Sequence, residues 1–183
     1  MTTYARILRV RRSSAAWLMQ GISSRVAALE VGLSAGGAGA ALMMVWWMAQ
    51  AGATGYGLLF PLNQIGAAFR GPEALVGGTS VILSGLLLHA FTSIVFGTLF
   101  SAAVTAKTRV PSSIVAGMVY SMLVLLFMTY VVLPYANPVM RQRVIAAPGA
   151  WFFAHIAFGL GVGLTPLFKR RLEGLRALQD LRG

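Results

Sequence analysis

The stretch VPSSIVAGMVYSMLVLLFMTYVVLP, residues 110–134, contains no charged side chain. It belongs to a charge-free run between Arg109 and Arg141, and three further runs lie between Glu30 and Arg70, Glu73 and Lys107, and Arg143 and Lys169. A helix crosses a hydrocarbon core of about 30 Å with about 20 apolar residues, and each run is long enough to do so. The sequence therefore predicts a polytopic membrane protein.

The composition of the whole chain agrees with this prediction. Of 183 residues, 57% are hydrophobic and 10% are charged, whereas a soluble domain carries about 25% charged residues. These values exclude a soluble globular enzyme. The absence of cysteine excludes disulfides, thiolate metal sites and Cys-ligated clusters. The net charge of +11 does not indicate nucleic-acid binding, because the basic residues flank the apolar runs and form no stripe on a soluble face.

The predicted fold is an all-α four-helix transmembrane bundle. The spans are predicted at residues 32–53, 80–104, 112–134 and 149–168. They should be helices, because an unpaired backbone amide in hydrocarbon costs several kcal/mol. The predicted units are a basic N-terminal segment (1–30), the transmembrane domain (31–168) and a basic C-terminal tail (169–183). The longest loop, 54–78, is expected to lie along the membrane surface through Leu58, Leu59, Phe60, Ile65 and Phe69.

Basic residues are distributed unequally between the two sides of this arrangement. The side with both termini holds 12 Lys and Arg, and the other side holds 3, namely Arg70, Arg141 and Arg143. Because segments rich in Lys and Arg stay in the cytoplasm, both termini are predicted to be cytoplasmic.

Both tails are basic, and the first allows three interpretations. An interfacial amphipathic helix is favoured, since apolar residues recur at helical spacing: Trp17, Leu18, Ile22, Val26 and Leu29. A mitochondrial transit peptide has a similar composition and would imply the mitochondrial inner membrane. A twin-arginine signal is disfavoured, because Arg25 and Glu30 interrupt the apolar region that it needs. The C-terminal tail is predicted to be a short basic helix with a leucine stripe: Leu172, Leu175, Leu178 and Leu181.

The two halves of the transmembrane domain resemble each other. Matching positions are Gly36 and Gly117, Pro61 and Pro134, and His89 and His155, and the separation within each pair shortens in that order. Both halves begin on the same side, which predicts a parallel two-helix repeat about an axis along the membrane normal. Each proline is predicted to end its helix at the interface, because proline removes a backbone donor.

The same residues carry a resemblance to a known family. A Gly/Ala-rich first span is followed by His89 with an aromatic–Gly pattern, a span ending in Leu133-Pro134, and a His155-x3-Gly159 motif. Over residues 31–168 the chain resembles the small bacterial four-helix inner-membrane proteins of unknown function related to YagU. The resemblance implies a bacterial inner-membrane location and no established activity. Thr92-Ser93 stands where the second motif has Phe158-Gly159, which sets the two halves apart.

Small residues recur at four-residue spacing within the spans. The pairs are Gly32/Gly36, Gly37/Ala41, Gly97/Ser101 and Gly159/Gly163. Inside lipid, small side chains let helix backbones approach closely, and this packing holds helices together. Packing within one chain is the favoured interpretation, with Gly32, Gly36, Gly97, Gly159 and Gly163 as the packing residues. A homodimer or a seam for another membrane subunit is the alternative.

His89 and His155 are the only residues of the predicted spans that titrate near neutral pH. Both of their helices run in the same direction, so the two imidazoles should meet in the outer half of the bundle if those helices adjoin. Neutral imidazoles can ligate haem iron or part of a metal site, which makes both residues candidate cofactor-binding residues. The favoured interpretation is structural, with each ring donating a hydrogen bond across a helix interface. A proton or quinone role also stays open.

The sequence contains no catalytic grouping and favours a non-enzymatic integral inner-membrane protein. It would associate with itself or act as an accessory subunit of a membrane complex. The alternative is a haem- or metal-binding membrane protein that uses His89 and His155 in electron transfer. A small transporter ranks third, because charges at the membrane midplane are missing. The expected partners are the lipid bilayer and other membrane subunits, with no nucleic acid.

Overall fold

The structure, a computed structural model, describes the backbone of residues 3–182 and the side chains of residues 26–179, 181 and 182. Helices make up 87% of it, and the described residues contain no strand. The α-helices are α1 (Thr3–Ala53), α2 (Phe60–Arg70), α3 (Thr79–Ala103), α4 (Val110–Phe127), α5 (Leu133–Ala136), α6 (Pro138–Ala146), α7 (Pro148–Val162) and α8 (Thr165–Asp180). A 3₁₀ turn covers Gly71–Val76, and a π-helical turn covers Met128–Val132.

Four segments are long and apolar enough to cross a membrane. They are Val26–Ala53, Thr79–Ala103, Val110–Ala136 and Pro148–Gln179. The prediction of four apolar helices is confirmed. The first span is not separated from the segment before it, because α1 runs unbroken from Thr3 to Ala53. The side chains of Trp17, Leu18 and Ile22 lie outside the described residues, whereas those of Val26 and Leu29 are exposed.

The helices pack around α1. Helix α1 contacts both α3 and α7 extensively, and α4 packs on the far side of α7. Helices α3 and α7 make few direct contacts, because α1 lies between them. The condition that the second and fourth spans adjoin is therefore not met. Helices α3 and α4 also touch little, so one seam between long helices stays loosely packed.

Glycines make the close contacts between these helices. A Cβ added at Gly97 of α3 would clash with the Cα of Gly36 on α1. A Cβ at Gly161 of α7 would clash with the Cα of Gly39, again on α1. A Cβ at Gly117 of α4 would clash with the carbonyl oxygen of Gly159 on α7. No side chain larger than hydrogen fits at these positions without moving a helix.

The predicted packing glycines all lie in contacts inside the chain. Gly32 and Gly36 lie against α3, Gly97 lies against α1, and Gly159 and Gly163 lie against α4. The Gly37/Ala41 pair does not pack within the chain, because a Cβ added at Gly37 would have no atom within 4 Å and Ala41 is exposed. The contact of Gly39 with Gly161 was not predicted, because the pairs Ala35/Gly39 and Ala157/Gly161 were not among those selected as packing residues.

Short helices cover one end of the long helices, which we call the cap end. Helix α2 packs on α3, and Leu62 and Ile65 are buried beneath it. The expectation that Ile65 lies along the membrane surface is therefore wrong, whereas Leu58, Leu59 and Phe69 are exposed. Pro61 stands in the first turn of α2 and does not end the first span. Proline suits that position, since the first amides of a helix have no intrahelical acceptor.

The other end, which we call the tail end, holds the loop of residues 104–109 and helix α8. Lys169 donates a hydrogen bond to the carbonyl of Val104, where α3 ends. The Arg170 guanidinium donates to the carbonyls of Ala106, at 2.8 Å, and Thr108, at 3.0 Å. These bonds satisfy carbonyls near a helix end, which otherwise have no intrahelical donor. Two of the basic residues at this end therefore attach α8 to the α3–α4 loop.

Pro134 does not end the third span. A π-helical turn, Met128–Val132, precedes it, and the helix continues through α5 to Ala136. Proline has no amide hydrogen to bond the carbonyl four residues earlier, and its ring crowds that carbonyl. Widening the preceding turn accommodates the ring without breaking the helix. The Nε of Arg141 donates to the carbonyl of Thr129 in this turn, at 3.3 Å.

Candidate functional site

A cavity of about 150 Å³ lies between the long helices toward the cap end. Its walls come from α1, α2, α3, α4, α6 and α7, together with the π-helical turn and α5. The lining is largely apolar, and its polar members are His89, Thr92, Ser93, Thr129, Asn137 and His155. No Asp, Glu, Lys or Arg lines the cavity within the described part of the chain.

The loosely packed seam between α3 and α4 leaves the cavity open on one side. The wall includes Leu88 and Thr92 of α3 and Leu125 of α4, all of which are partly exposed. Toward the tail end, aromatic side chains close the same seam. The hydroxyl of Tyr120 donates to the carbonyl of Phe96, at 2.9 Å. The opening therefore faces sideways, in the direction that lipid occupies around a membrane-spanning protein.

His89 is held by the helix beside its own. The ring is buried at 7% exposure, and its Nε2 lies 3.1 Å from the carbonyl oxygen of Ala40 on α1. The contact between Gly36 and Gly97 brings α1 and α3 close enough for this bond. A carbonyl only accepts, so Nε2 carries the hydrogen and donates. The Nδ1 of His89 has no hydrogen-bond partner among the described residues.

His155 is held by its own helix. Its ring is buried at 6% exposure, and Nδ1 lies 2.9 Å from the carbonyl oxygen of Trp151, one turn earlier in α7. This nitrogen must be the donor, for the same reason. The expected bond across a helix interface therefore occurs for His89 and not for His155. The Nε2 of His155 has no partner in the described structure.

The hydrogen bonds fix the tautomers of both rings. A neutral imidazole has one donor and one acceptor nitrogen. Since each ring already donates to a carbonyl, the nitrogen that remains on each ring is an acceptor. The cavity thus brings together two imidazoles, and each has an unused lone pair.

Ser93, Thr129 and Asn137 are the other buried polar residues of the cavity wall that sequence reasoning did not select as site residues. The hydroxyl of Thr129 is buried and has no hydrogen-bond partner in the described structure. Asn137 is fully used: it donates to the carbonyl of Gln64, at 2.9 Å, and accepts from the amide of Met140, at 3.0 Å. Asn137 therefore caps α6 and joins it to α2, whereas the Thr129 hydroxyl is buried without a partner among the described residues.

A second cavity, of about 180 Å³, lies beside the first at the cap end. Its wall contains Gln50, Gln64 and Arg143. The guanidinium of Arg143 lies over the rings of Phe60, at 4.9 Å, and Tyr56, at 5.9 Å. Two tryptophans line both cavities, and their rings meet edge to face with centroids 4.0 Å apart: Trp47 and Trp151. This pair forms the common wall between an apolar cavity and a more polar one.

The arrangement offers little for metal binding. No group of three or more His, Cys, Asp or Glu residues that could hold a metal ion occurs in the part of the chain that the structure describes. The two histidines would need ligands of another kind. Three methionines line the same cavity, namely Met43, Met128 and Met140, and one of them accepts a bond from the Asn137 amide.

No protein-family model, curated protein or solved structure matches this chain.

Proposed function

We propose that the protein is a non-enzymatic multi-pass protein of a bacterial inner membrane, with both termini in the cytoplasm, and that its four-helix bundle binds a small lipid-soluble molecule. The cavity beside His89 and His155 carries this proposal. It is apolar, open toward the side and lined by polar atoms that lack partners. The charge asymmetry of the tails supports the orientation.

The size of the cavity limits what it can hold. An engineered apolar cavity of about 150 Å³ in another protein binds one benzene molecule. The cavity here has about the same volume. One six-membered ring therefore fits between the helices, and a longer apolar chain attached to it would leave through the α3–α4 seam into lipid.

Self-association through Gly32, Gly36, Gly97, Gly159 and Gly163 receives no support from their contacts, whereas the Gly37/Ala41 pair is exposed. Each of the five packing glycines faces another helix of the same chain. A second copy or another subunit would have to bind the exposed outer faces of the long helices instead. These faces carry Leu and Val residues that lipid chains can cover equally well.

Haem or metal binding is the second candidate, and one observation favours it. Each histidine donates one ring N–H to a carbonyl, which is the arrangement that orients a metal-ligating imidazole. The volume of about 150 Å³ is too small to enclose four joined pyrroles, so a haem would have to extend through the α3–α4 seam. An absorbance spectrum and a metal analysis of the purified protein test this candidate.

A duplicated origin of the two halves belongs to the same proposal. In the first half Gly36 meets Gly97 in the α1–α3 seam, and in the second half Gly117 meets Gly163 in the α4–α7 seam. His89 precedes Gly97 by as many positions as His155 precedes Gly163. The halves are not packed equivalently, since α1 packs closely on α7 while α3 and α4 touch little. This inequality is what leaves the cavity open.

A substitution that fills the cavity tests whether it binds a ligand. Val124 of α4 lines the cavity and is buried, whereas Val119 on the same helix is 59% exposed. In detergent-purified full-length protein, 4-fluorotoluene should raise the unfolding temperature of the wild type and of Val119→Phe, because a ligand bound to the folded state stabilises it. Val124→Phe should lose this shift. An equal shift in all three proteins would show that the probe acts through the detergent and would overturn the proposal.

A further inference from the structure

We infer that the cavity selects molecules that carry a hydroxyl group on an apolar ring, and that it discriminates against ketones, quinones and ethers of the same shape. This inference rests on the proposed function and adds the chemical class of the ligand. It comes from the acceptor nitrogens of two rings that face one cavity.

The two histidines have no hydrogen to offer a ligand. His89 has committed its N–H to Ala40 and His155 has committed its N–H to Trp151. For either ring to donate to a ligand, it would have to leave a carbonyl or take up a proton. Taking up a proton is unfavourable here, since no carboxylate among the described residues lines the cavity to balance the charge. Both rings therefore act as acceptors.

Acceptor nitrogens in an apolar cavity bind a ligand that donates a hydrogen bond more tightly than a ligand that can only accept one. A ligand hydroxyl donates to a ring nitrogen and forms a hydrogen bond. A ketone or ether oxygen can accept only from a hydroxyl of the wall, such as that of Thr129, and it leaves the lone pairs of both ring nitrogens unpaired. A polar group buried without a partner costs free energy, whereas a made bond stabilises the complex. We expect a preference for the hydroxyl of about tenfold in affinity, which corresponds to the net value of one hydrogen bond.

Thr129 extends the polar part of the site. Its side chain is 4% exposed, and its Oγ1 has no partner in the described structure. A hydroxyl both donates and accepts, so Thr129 can donate to the oxygen of the ligand that donates to a histidine. A ligand hydroxyl would then be used in both of its roles, which an ether or ketone oxygen cannot achieve.

The aromatic part of the wall favours a flat ring. Four aromatic residues line the cavity: Trp47, Phe96, Trp151 and Phe158. Aromatic rings pack edge to face or offset against one another with a gain beyond the burial of their area. A phenol or hydroquinone ring uses both the aromatic wall and the acceptor nitrogens, whereas a saturated alcohol uses only the nitrogens.

The test uses matched probes on the full chain in lipid nanodiscs. The probes are 4-ethylphenol, 4-ethylanisole, 4-methylacetophenone and 4-ethylcyclohexanol, and their affinities are measured by calorimetry with Val124→Phe as the blocked control. We expect 4-ethylphenol to bind about tenfold more tightly than the anisole and the ketone. The cyclohexanol tests whether the ring that carries the hydroxyl must be aromatic. Weaker binding than that of the phenol supports an aromatic ligand, and equal binding removes the aromatic part of the inference.

The two ways of failing differ in this experiment. Equal binding of phenol and anisole, blocked in both cases by Val124→Phe, would overturn the inference and leave the proposed function intact. Binding of no probe above the level of Val124→Phe would overturn both.

Two further readouts connect the preference to the histidines. His155→Phe and His89→Phe keep a flat ring and remove an acceptor, so at least one of them should abolish the preference for the phenol while the anisole still binds. If both variants fail to fold, ¹⁵N-labelled histidine in the wild type gives the answer. The unprotonated nitrogen of a ring that accepts the phenol hydroxyl should shift on addition of phenol and not of anisole. Unchanged nitrogen signals, or a preference that survives both substitutions, would contradict the inference.

Discussion

Two buried threonines differ in whether their hydroxyls have a partner. Thr129 of the cavity wall has none among the described residues, whereas Thr165 at the start of α8 donates to the carbonyl of Val162, at 2.7 Å. Both side chains are almost fully buried, at 4% and 0% exposure. The same change of hydroxyl to methyl should therefore have opposite effects at the two positions.

We expect Thr129→Val to stabilise the ligand-free protein by about 1 kcal/mol, because it removes a buried hydroxyl that lacks a partner. Thr165→Val should destabilise it by about the same amount, because it leaves a carbonyl without its donor. Thermal unfolding of the two purified variants beside the wild type measures both effects. A destabilised Thr129→Val would mean that its hydroxyl is already bonded in the free protein.

For individual residues, the sequence identifies the two histidines as candidate site residues but does not predict what surrounds them. His89 and His155 are recognisable because groups that titrate near neutral pH are rare inside a membrane, and both line the cavity. Thr129 is one of several Ser and Thr residues in the spans. Some of these bond a carbonyl of their own helix, as Ser121 and Ser101 do, whereas Thr98 and Ser113 have no partner in the described structure. Residue spacing alone does not reveal which hydroxyls have such a bond.

The contact between helices α1 and α3 depends on glycine, because a larger side chain would not fit between their backbones. Gly97 lies against the backbone of Gly36, and its contact keeps Ala40 within reach of His89. In the same region of α1, Gly37 faces away from the other described helices. The chain thus provides a glycine that is required for packing and a nearby one that is not.

Gly97→Ala should lower the thermal stability of the purified protein and weaken phenol binding, because the added methyl group pushes α1 away from α3 and separates Ala40 from His89. Gly37→Ala should leave stability unchanged or raise it by up to about 1 kcal/mol, since alanine favours helix more than glycine does. Unfolding temperature and phenol affinity are measured for both variants. If Gly97→Ala behaves like Gly37→Ala, the two helices are not held by this contact.

Elements were predicted better than their junctions. The charge-free runs give four helices, because a backbone in hydrocarbon must bond itself. The prolines do not mark the ends of the spans, since Pro61 lies in the first turn of α2 and Pro134 follows a π-helical turn inside a continuing helix. Proline indicates where an amide is missing, and a helix start or a widened turn accommodates this as well as a helix end does.

In the molecule as a whole, the sequence does not predict which of the long helices are neighbours. Apolar helices in lipid gain no hydrophobic free energy by choosing one neighbour over another, so close packing of small residues selects the neighbours. The decisive pair, Gly39 with Gly161, is not singled out by spacing, because Ala35/Gly39 and Ala157/Gly161 have the same four-residue spacing as several other small-residue pairs. Because that pair joins α1 to α7, the equivalent seam between α3 and α4 stays loosely packed, and the cavity opens there.

The most direct measurement is a crystal structure of the full chain with 4-iodophenol, in which the anomalous signal of iodine locates the ligand. We expect one strong iodine peak at the α3–α4 seam, near Leu125. We also expect the phenol oxygen within hydrogen-bond distance of His89 Nδ1 or His155 Nε2. A cavity without ligand, with iodine only on the lipid-facing surface of the helices, would contradict the proposed binding site.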